Sequence, residues 1–360
     1  MGLDVGDGLD CNDPRLHSIH DDPQAFRPGH DDGGGEMNMK GFDAQYTDLP
    51  DYILKCTAQI WEGRDIASLE WHYAPDIVVR SPEGARVGNV EGIANTMATL
   101  SEFPDRVLLG EDVIWSGSPE DGFLSSHRIL STATHSQDGV FGPATGKKLT
   151  FRTIADCHVI ANRIDDEWLV RDQGAIVRQL GQTPEAYAHA AIEAEGGMEK
   201  AAHPLTPEKD IVGPYTGRGN DNKWGAKLSD ILTRIMGAEF SVITSDYDRA
   251  CHLEYPGGIT AHGHEAADHF WLGLRSSLPS AQFRIEHQIG RDDPMMPPRA
   301  AVRWSLTGSH DGRGMLGRPT GASVHIMGIT HAEFGPWGMR REFTIFDETA
   351  VWKQIVLAAG

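Results

Sequence analysis

The fold of this chain is decided by a stretch of sequence that occurs twice. Residues 142–179 read GPATGKKLTFRTIADCHVIANRIDDEWLVRDQGAIVRQ, and residues 317–354 read GRPTGASVHIMGITHAEFGPWGMRREFTIFDETAVWKQ. Shared residues continue without a gap over residues 88–179 and 263–354, at a constant offset of 175 residues. Solenoid repeats have periods of about 20 to 50 residues, so this spacing predicts two copies of a whole domain.

The duplication divides the 360-residue chain into four parts. We predict one domain over residues 49–181 and a second over residues 226–360. The residues between them, 182–225, combine an Ala- and Glu-rich helical stretch with a loop rich in Gly and Asn, which is typical of a linker. Residues 1–48 are acidic and carry many Gly, Asp and Pro residues, a composition that predicts a disordered tail.

Within each copy, helical patterns come before strand patterns. In the first copy, residues 51–62, 65–73 and 91–103 have apolar residues at helical spacing, whereas residues 107–175 contain four strand-like segments separated by turn residues. Helices followed by hairpin-linked strands predict an α+β fold, in which helices pack on one face of a curved antiparallel sheet. We therefore expect two tandem α+β domains, each with a pocket between its helices and its curved sheet.

Composition narrows the range of partners. The chain has 32 Lys and Arg against 52 Asp and Glu, a net charge of −20 that disfavours nucleic acid and anionic membrane surfaces. No apolar run is long enough for a membrane span and no signal peptide is evident, so we predict a cytoplasmic protein. The four cysteines lie far apart, and neither an HExxH sequence nor a nucleotide-binding glycine motif occurs, so we expect no metal and no cofactor.

Several motifs of the two copies are shared with a known family. In the first copy they are Glu167-Trp168-Leu169-Val170-Arg171-Asp172, His72-Tyr73-Ala74-Pro75-Asp76 and residues 142–146; in the second copy they are residues 308–312, 317–321 and 342–347. Together they resemble the SnoaL-like polyketide cyclase family, part of the nuclear transport factor 2-like superfamily. The resemblance implies a conical α+β barrel. It does not imply one reaction, because the superfamily includes cyclases, isomerases, dehydratases, epoxide hydrolases and non-catalytic binders.

An aspartate follows the last strand pattern of each copy. Asp172 shares its strand face with Trp168, and Asp347 shares its face with Phe343. Burial on an apolar face raises the pKa of a carboxyl toward neutrality, which suits general acid/base catalysis. The alternative is a carboxylate that caps a helix or pairs with an arginine for stability. The resemblance implies the catalytic role, because SnoaL-like cyclases use an aspartate at this position as their acid/base.

The preceding strand supplies a second row of titratable side chains. Arg152, Asp156 and His158 share one face in the first copy, and His331 and Glu333 share the corresponding face in the second. Neighbouring groups on one face can drive their pKa values apart, as acid/base catalysis requires. The resemblance maps the family's pocket histidine onto His158. The second copy has Glu333 at that position, which questions the equivalence of the two pockets.

Further side chains are predicted to contact a ligand. They are His127, Arg152 and Trp168 in the first pocket, His72 and Tyr73 at its mouth, and Trp304 and Phe343 in the second pocket. Amphipathic packing explains the residues at the mouth equally well. Arg128 and Arg303 fall on the opposite strand face, where cross-strand ion pairs with the nearby glutamates Glu167 and Glu342 are the simpler explanation.

These observations predict a cofactor-free acid/base enzyme that acts on a small, largely apolar carbonyl, hydroxyl or epoxide compound. Its catalytic groups would be Asp172, His158 and Asp156 in the first pocket and Asp347, His331 and Glu333 in the second. Ring closure of a polyketide ester is the reaction that the resemblance implies. The alternative is a non-catalytic module that binds a small molecule. In either case we expect the two domains to form a pseudo-dimer within the chain, with further homo-oligomers left open.

Overall fold

The structure, a computed structural model, describes residues 39–359, so residues 1–38 of the predicted tail lie outside the described residues. The end of that segment, residues 39–48, is packed on the fold. Tyr46 is buried, and its ring stands edge-on to the ring of Tyr52 with 5.0 Å between the centroids. The predicted tail is corrected at this end, because Phe42 and Tyr46 contribute apolar surface that the average composition of the segment obscures.

The first unit begins with helices and continues with strands. In chain order its elements are α1 (Leu49–Trp61), α2 (Leu69–His72), β1 (Tyr73–Ser81), β2 (Gly84–Val87), α3 (Asn89–Glu102), β3 (Val107–Ser118), β4 (Gly122–Thr134), β5 (Lys148–Ile160), β6 (Arg163–Arg171) and α4 (Gln173–Leu180). Asp48 caps α1, because its side chain accepts a hydrogen bond from the Asp51 N–H at 2.7 Å. The last strand ends at Arg171, four residues before the predicted end at residue 175, since the chain turns into α4 there.

The second unit repeats this order after one connecting helix. That helix is α5 (Pro184–Ala194), and the elements that follow are α6 (Lys223–Met236), α7 (Ser241–Asp246), β7 (Tyr247–Tyr255), β8 (Ile259–His262), α8 (Gly263–Ser277), β9 (Gln282–Arg291), β10 (Arg299–Ser309), β11 (Ser323–Gly335), β12 (Gly338–Phe346) and α9 (Glu348–Ala359). Thr183 caps α5 and Pro184 opens it, so the start of this helix is encoded locally. In the described part of the chain, no helix is both long and apolar enough to cross a membrane.

The two six-stranded sheets have the same topology. Their strand orders are β2-β1-β6-β5-β4-β3 and β8-β7-β12-β11-β10-β9, with β1 parallel to β6 and β7 parallel to β12. Arg128 lies opposite Ile154 in the first sheet, and Arg303 lies opposite Ile329 in the second. The offset of 175 residues in the sequence is therefore also an equivalence in space. The chain is α+β, with two tandem cone-shaped units.

Each sheet is buried on both faces. One face is covered by the helices of its own unit, as where Tyr52 of α1 packs with Ile77 and Phe123; we call the space between them the cone interior. The other faces of the two sheets pack against each other, and Ile154 of the first meets Ile329 of the second. We call this contact the interface. Which strand residues point to the cone interior and which to the interface decides where a site can be.

The connecting segment also contributes to the interface. Leu205 joins the apolar cluster around Ile154, and the ring of Tyr215 stacks on His158 with 4.7 Å between centroids. Helix α5 packs on α9 through Ile192 and Val356. Residues 182–225 therefore bind the two units together as well as joining them in sequence.

Candidate functional site

Asp156, predicted to face a pocket, lies in the interface. Its Oδ2 atom accepts a hydrogen bond from Arg303 Nη1 at 2.7 Å, and its Oδ1 atom accepts one from the Ser126 hydroxyl at 2.5 Å. All three side chains are buried. Burial raises the pKa of Asp156, an effect that the Arg303 charge and the Ser126 hydrogen bond oppose. The group is one half of a buried ion pair that joins the two units.

The two histidines predicted to face the pockets, His158 and His331, lie in the interface as Asp156 does. His158 Nδ1 is 2.6 Å from Asp165 Oδ1. His331 Nε2 is 2.7 Å from Ser126 Oγ, and its Nδ1 is 3.3 Å from the Arg128 guanidinium. Burial and the positive charge of Arg128 hold the pKa of His331 well below its usual range, so this imidazole is neutral.

Two of the aromatic residues predicted to line the pockets, Trp168 and Phe343, hold arginines in the interface instead. The Trp168 ring centroid is 3.7 Å from the guanidinium carbon of Arg303, and the Phe343 centroid is 3.6 Å from that of Arg128. Each ring therefore stacks on an arginine, and in both cases the arginine lies on the facing sheet.

Arg152 and Glu333 also lie in the interface, where each forms ion pairs with other residues. Arg152 Nε lies 2.8 Å from Glu111 Oε2, and Arg152 Nη1 lies 2.9 Å from Glu254 Oε2 in the second unit. Glu333 lies 3.5 Å from Arg341 on the neighbouring strand. The predicted orientation of this row of strand residues is wrong. Because both faces of the sheets are buried, alternation along a strand separates two faces without telling which one is the cone interior.

Asp172 caps α4 and docks the second unit on it. Its Oδ1 atom accepts the N–H groups of Ala175 and Gly257, both at 2.9 Å, and its Oδ2 atom accepts the N–H of Gly258 at 2.9 Å. Burial raises its pKa to about 6, although these hydrogen bonds oppose the rise. Asp172 therefore has the perturbed pKa that was expected, but on the interface side of its strand.

Asp347 has the equivalent position at the start of α9. It accepts hydrogen bonds from the Thr349 N–H at 2.8 Å, from the Thr349 hydroxyl at 2.7 Å and from Gln173 Nε2 of the first unit at 3.0 Å. Burial, with a contribution from the charge of Glu83, raises its pKa to about 7. Both aspartates thus fit the structural alternative of a helix cap, while their catalytic role stays a prediction.

Three of the predicted ligand contacts do point to a cone interior. Tyr73 and His127 lie in the first cone and Trp304 lies in the second. His72 packs on α1, where its ring nitrogens are 3.2 Å from Cys56 Sγ and 3.0 Å from Gln59 Oε1. Its position is explained by packing.

The first cone interior contains a buried glutamate that the sequence prediction treated as an ion-pair partner. The Tyr73 hydroxyl donates to Glu167 Oε2 at 2.8 Å, whereas Arg128, its expected partner, pairs with Glu111 on the other face. Glu167 lies opposite Cys157 in the register of β5 and β6. Burial raises the pKa of Glu167 to about 7, and the tyrosine hydrogen bond opposes that rise. Glu167 lies on the same strand face as the apolar residue Leu169. This shared face was the sequence signal that could have identified Glu167 as a residue of the cone interior.

Four polar side chains form a band across the first cone. Each has a buried atom that finds no hydrogen-bond partner within residues 39–359: Arg106 Nη1, His127 Nε2, Thr153 Oγ1 and Arg171 Nε. This polar band separates two apolar clusters, one around Phe123 and the other around Phe103, Phe151 and Ile176. Burial, together with the adjacent Arg128 charge, lowers the pKa of His127 to about 4, so its imidazole is neutral near pH 7.

The second cone has an apolar residue or glycine at every equivalent position. Ala281, Val302, Gly328 and Phe346 take the places of Arg106, His127, Thr153 and Arg171. The core of this unit is one continuous cluster that runs from α6 to α9.

Trp304 is fully buried at the centre of the second cone and fills it. A Cβ atom on Gly328 would lie 2.2 Å from its ring, so glycine is required at that position. The glutamate of this cone, Glu342, is saturated: it accepts hydroxyl hydrogen bonds from Tyr247, Tyr255 and Thr344 at 2.9, 3.0 and 2.7 Å. The second cone is thus a packed core.

Two surface cavities lie away from these groups. One, of about 510 Å³, is lined by α5, α9 and residues 316–320, and the other, of about 430 Å³, is lined by prolines and by Phe334 and Arg340. Neither is lined by Asp172, Glu167 or the polar band.

The fold and the site define a class of protein: a chain of two fused α+β cones, the first with a polar interior and the second with a packed one. The family model described as SnoaL-like polyketide cyclase matches residues 52–180. The matched residues extend from α1 to α4, so the first unit is similar to the SnoaL-like polyketide cyclase family. No curated protein matches the sequence.

Solved structures similar to this chain each cover about a third of it. IdmH of Streptomyces antibioticus is 23% identical, with 37% of this chain and 97% of that chain covered and a TM-score of 0.33. AclR of Streptomyces galilaeus is 19% identical, with 37% and 98% covered and a TM-score of 0.33. A SnoaL-like polyketide cyclase from Agrobacterium tumefaciens is 18% identical, with 37% and 97% covered and a TM-score of 0.31.

Proposed function

We propose that the first unit is a cofactor-free acid/base enzyme for a small organic compound held in its cone interior, and that the second unit supports it structurally. The polar band is the observation that carries this proposal. Leaving a buried polar atom without a hydrogen bond costs about 1 to 3 kcal/mol. These four atoms lie at positions where the other cone has apolar residues or glycine, as is expected where a ligand supplies the missing partners.

Glu167 is the proposed general base. With a pKa of about 7 it is partly ionised at neutral pH, so it can accept a proton from carbon and return it elsewhere on the substrate. Tyr73 fixes one carboxylate oxygen and leaves the other for the substrate. In the abstraction step, the C–H electron pair moves toward an adjacent carbonyl, whose oxygen gains negative charge, and Glu167 becomes neutral.

His127 is the proposed hydrogen-bond donor to that oxygen. A neutral imidazole carries one N–H, and its buried Nε2 atom has no partner within the described part of the chain. A donor placed before the reaction stabilises the oxyanion more than the carbonyl. The pair of an acid/base with a neutral donor supports cyclase or isomerase chemistry, in line with the family that residues 52–180 match.

A ligand-binding module is the second candidate. It is favoured by the recurrence of the glutamate and tyrosine pair in the packed second cone, where Tyr247 donates to Glu342. In that case the pair serves the fold in both units, and the polar band recognises a ligand without turnover.

One assay separates these candidates. The full chain and its Glu167→Gln variant are tested for turnover of a panel of small carbonyl, epoxide and polyketide-like compounds, with Glu342→Gln as the matched control. We expect Glu167→Gln to lower kcat by about 100-fold or more and Glu342→Gln to leave kcat within a few-fold. Full activity of Glu167→Gln would overturn the proposed base. Absence of turnover, with a ligand that raises the Tm, would support the binding module.

The same assay tests the aspartates. If Asp172→Asn or Asp347→Asn lost turnover while remaining folded, the acid/base would lie at that aspartate and not at Glu167. We expect instead that both variants retain kcat when they are assayed below their melting temperatures.

A further inference from the structure

Arg106 differs from every other buried arginine in the described chain. Five arginines are less than 9% exposed, and four of them contact a carboxylate: Arg80 with Asp166, Arg128 with Glu111, Arg299 with Asp112 and Arg303 with Asp156. Arg106, at 3% exposure, has no carboxylate within ion-pair distance among residues 39–359. A buried charge without a counter-charge is strongly unfavourable, so its partner is expected to come from outside residues 39–359.

The guanidinium of Arg106 is held in a fixed orientation. Its Nε and Nη2 atoms lie 3.4 and 3.1 Å from Ser131 Oγ, and its plane packs near the rings of Trp61 and Phe151, at 4.6 and 5.2 Å from their centroids. The remaining donor, Nη1, has no hydrogen-bond partner within the described residues. Ser131 and Phe151 both point to the cone interior, so this donor is at the polar band.

A second cation and a hydroxyl lie beside it. Arg171, the last residue of β6, is directly opposite Thr153 of β5, and both have a buried atom without a partner within the described residues. Burial lowers the pKa of Arg106, as does the positive charge of Arg171, whereas the charge of Glu62, which accepts from the Leu108 N–H, opposes this effect. Phe151, which the Arg106 guanidinium contacts, is two residues from Thr153 on the same face of β5, so the two arginines lie at the same end of the cone interior.

We propose that Arg106, Arg171 and Thr153 bind a carboxylate of the ligand in the first cone interior. Guanidinium groups offer paired N–H donors that match the two oxygens of a carboxylate. The hydroxyl of Thr153 supplies a further donor. All three positions change together in the second cone, to Ala281, Phe346 and Gly328, so the fold itself does not need them.

The inference rests on the proposed function and adds a substrate class to it. Glu167 and Arg171 are four residues apart on one strand, which places their Cα atoms about 13 Å apart. Ala155 and Leu169, which form one register pair between them, are apolar. The substrate is then an organic acid whose reacting carbon is separated from its carboxylate by an apolar body.

The test compares a charged and an uncharged probe of the same shape. Binding of 2-naphthoate and of methyl 2-naphthoate to the full chain is measured by calorimetry and by the shift in Tm. We expect the acid to bind at least 10-fold more tightly than the ester. Arg106→Met and Arg171→Met should each weaken binding of the acid by 10-fold or more and change binding of the ester less than about two-fold.

Arg163→Met is the matched control, because it removes an exposed arginine from the same strand. It should leave the affinity for the acid unchanged. If Arg106→Met fails to fold, Arg106→Lys keeps the charge without the planar fork, and binding of the acid should still weaken. Equal binding of acid and ester by the wild type, or an unchanged affinity for the acid in the arginine variants, would overturn the inference.

The outcome is separable from that of the proposed function. Selective binding of the acid through the two arginines, combined with full turnover by Glu167→Gln, would refute the base and keep the carboxylate site. Equal binding of acid and ester, combined with loss of turnover in Glu167→Gln, would refute the carboxylate site and keep the base.

Discussion

Arg303 of the second unit donates a hydrogen bond to Asp156 of the first at 2.7 Å. The equivalent crossing on the other side of the interface brings Arg128 to within 3.3 Å of His331. The interface is therefore repeated in geometry but not in charge. One crossing is an ion pair, and the other joins an arginine to a neutral imidazole.

Removing one partner of the buried ion pair should destabilise the protein strongly. Asp156→Asn or Arg303→Met leaves a charge buried without its counter-charge, and we expect each to lower the free energy of unfolding by about 3 to 5 kcal/mol. The double variant should lose clearly less than the sum, since neither charge is then left alone. Urea unfolding of all four proteins measures the coupling, and additive losses would contradict it.

Asp172→Asn tests the helix cap. The two oxygens of Asp172 accept three N–H groups, and an asparagine would direct an NH₂ group at one of them. We expect a loss of about 1 to 3 kcal/mol in the free energy of unfolding with kcat retained. Asp76→Asn, on the exposed side of β1, is the control and should be neutral. A loss of kcat of about 100-fold or more at unchanged stability would instead support the catalytic role that the sequence predicted.

The buried glutamate of the second cone predicts a dependence of stability on pH. The pKa of Glu342 is raised by burial from 4.5 to about 7, so the native state holds its proton more tightly than the unfolded chain does. This contribution to stability is present at low pH and is lost as the pH rises from about 4.5 through about 7.

Relative to Glu342→Gln, which does not titrate, the wild type should lose roughly 3 kcal/mol between pH 4.5 and pH 8. Unfolding by urea at several pH values compares the two proteins, so that shifts of other groups cancel. A difference that stays constant with pH would mean that Glu342 does not hold a raised pKa.

Exchanging equivalent residues between the two cones should change the stability of the protein and its ligand binding in opposite directions. His127→Val gives the first cone the residue of the second, and we expect about 1 kcal/mol of added stability with loss of ligand binding. Val302→His makes the reverse change and should destabilise the packed cone by about 1 to 3 kcal/mol. Thermal unfolding of both variants measures the effect. Destabilisation by His127→Val would show that the imidazole has a structural partner.

The fold was predictable because its signals are local and occur twice. The helical spacing over residues 51–62 recurs at the start of the second unit, and the turn glycines near residue 142 and the strand alternation that follows them recur with the constant offset of 175 residues. Each copy therefore tests the assignment of the other. The family resemblance at residues 167–172 pointed to the same fold, which the match over residues 52–180 supports.

The site was predictable only in part. The alternation of side chains along the strands correctly placed Asp156 and His158 on one face of the sheet and Glu167 on the other. It could not say which of these two faces is the cone interior. Apolar residues occur on both faces of β5, since one face packs on helices and the other on the second sheet. Comparison of the copies was the unused signal, because Thr153 and Gly328 differ in polarity at a position that faces the cone interior in both.

The unlike interiors of the two cones have a consequence for how such a chain can change over time. In a symmetric homodimer, every substitution appears in both subunits, so a residue that fills one pocket fills the other. Here the two positions are encoded separately. Trp304 fills the second cone, whereas the equivalent residue of the first cone is Ile129. Substitutions in the second unit can therefore increase the stability of the whole chain without filling the first cone.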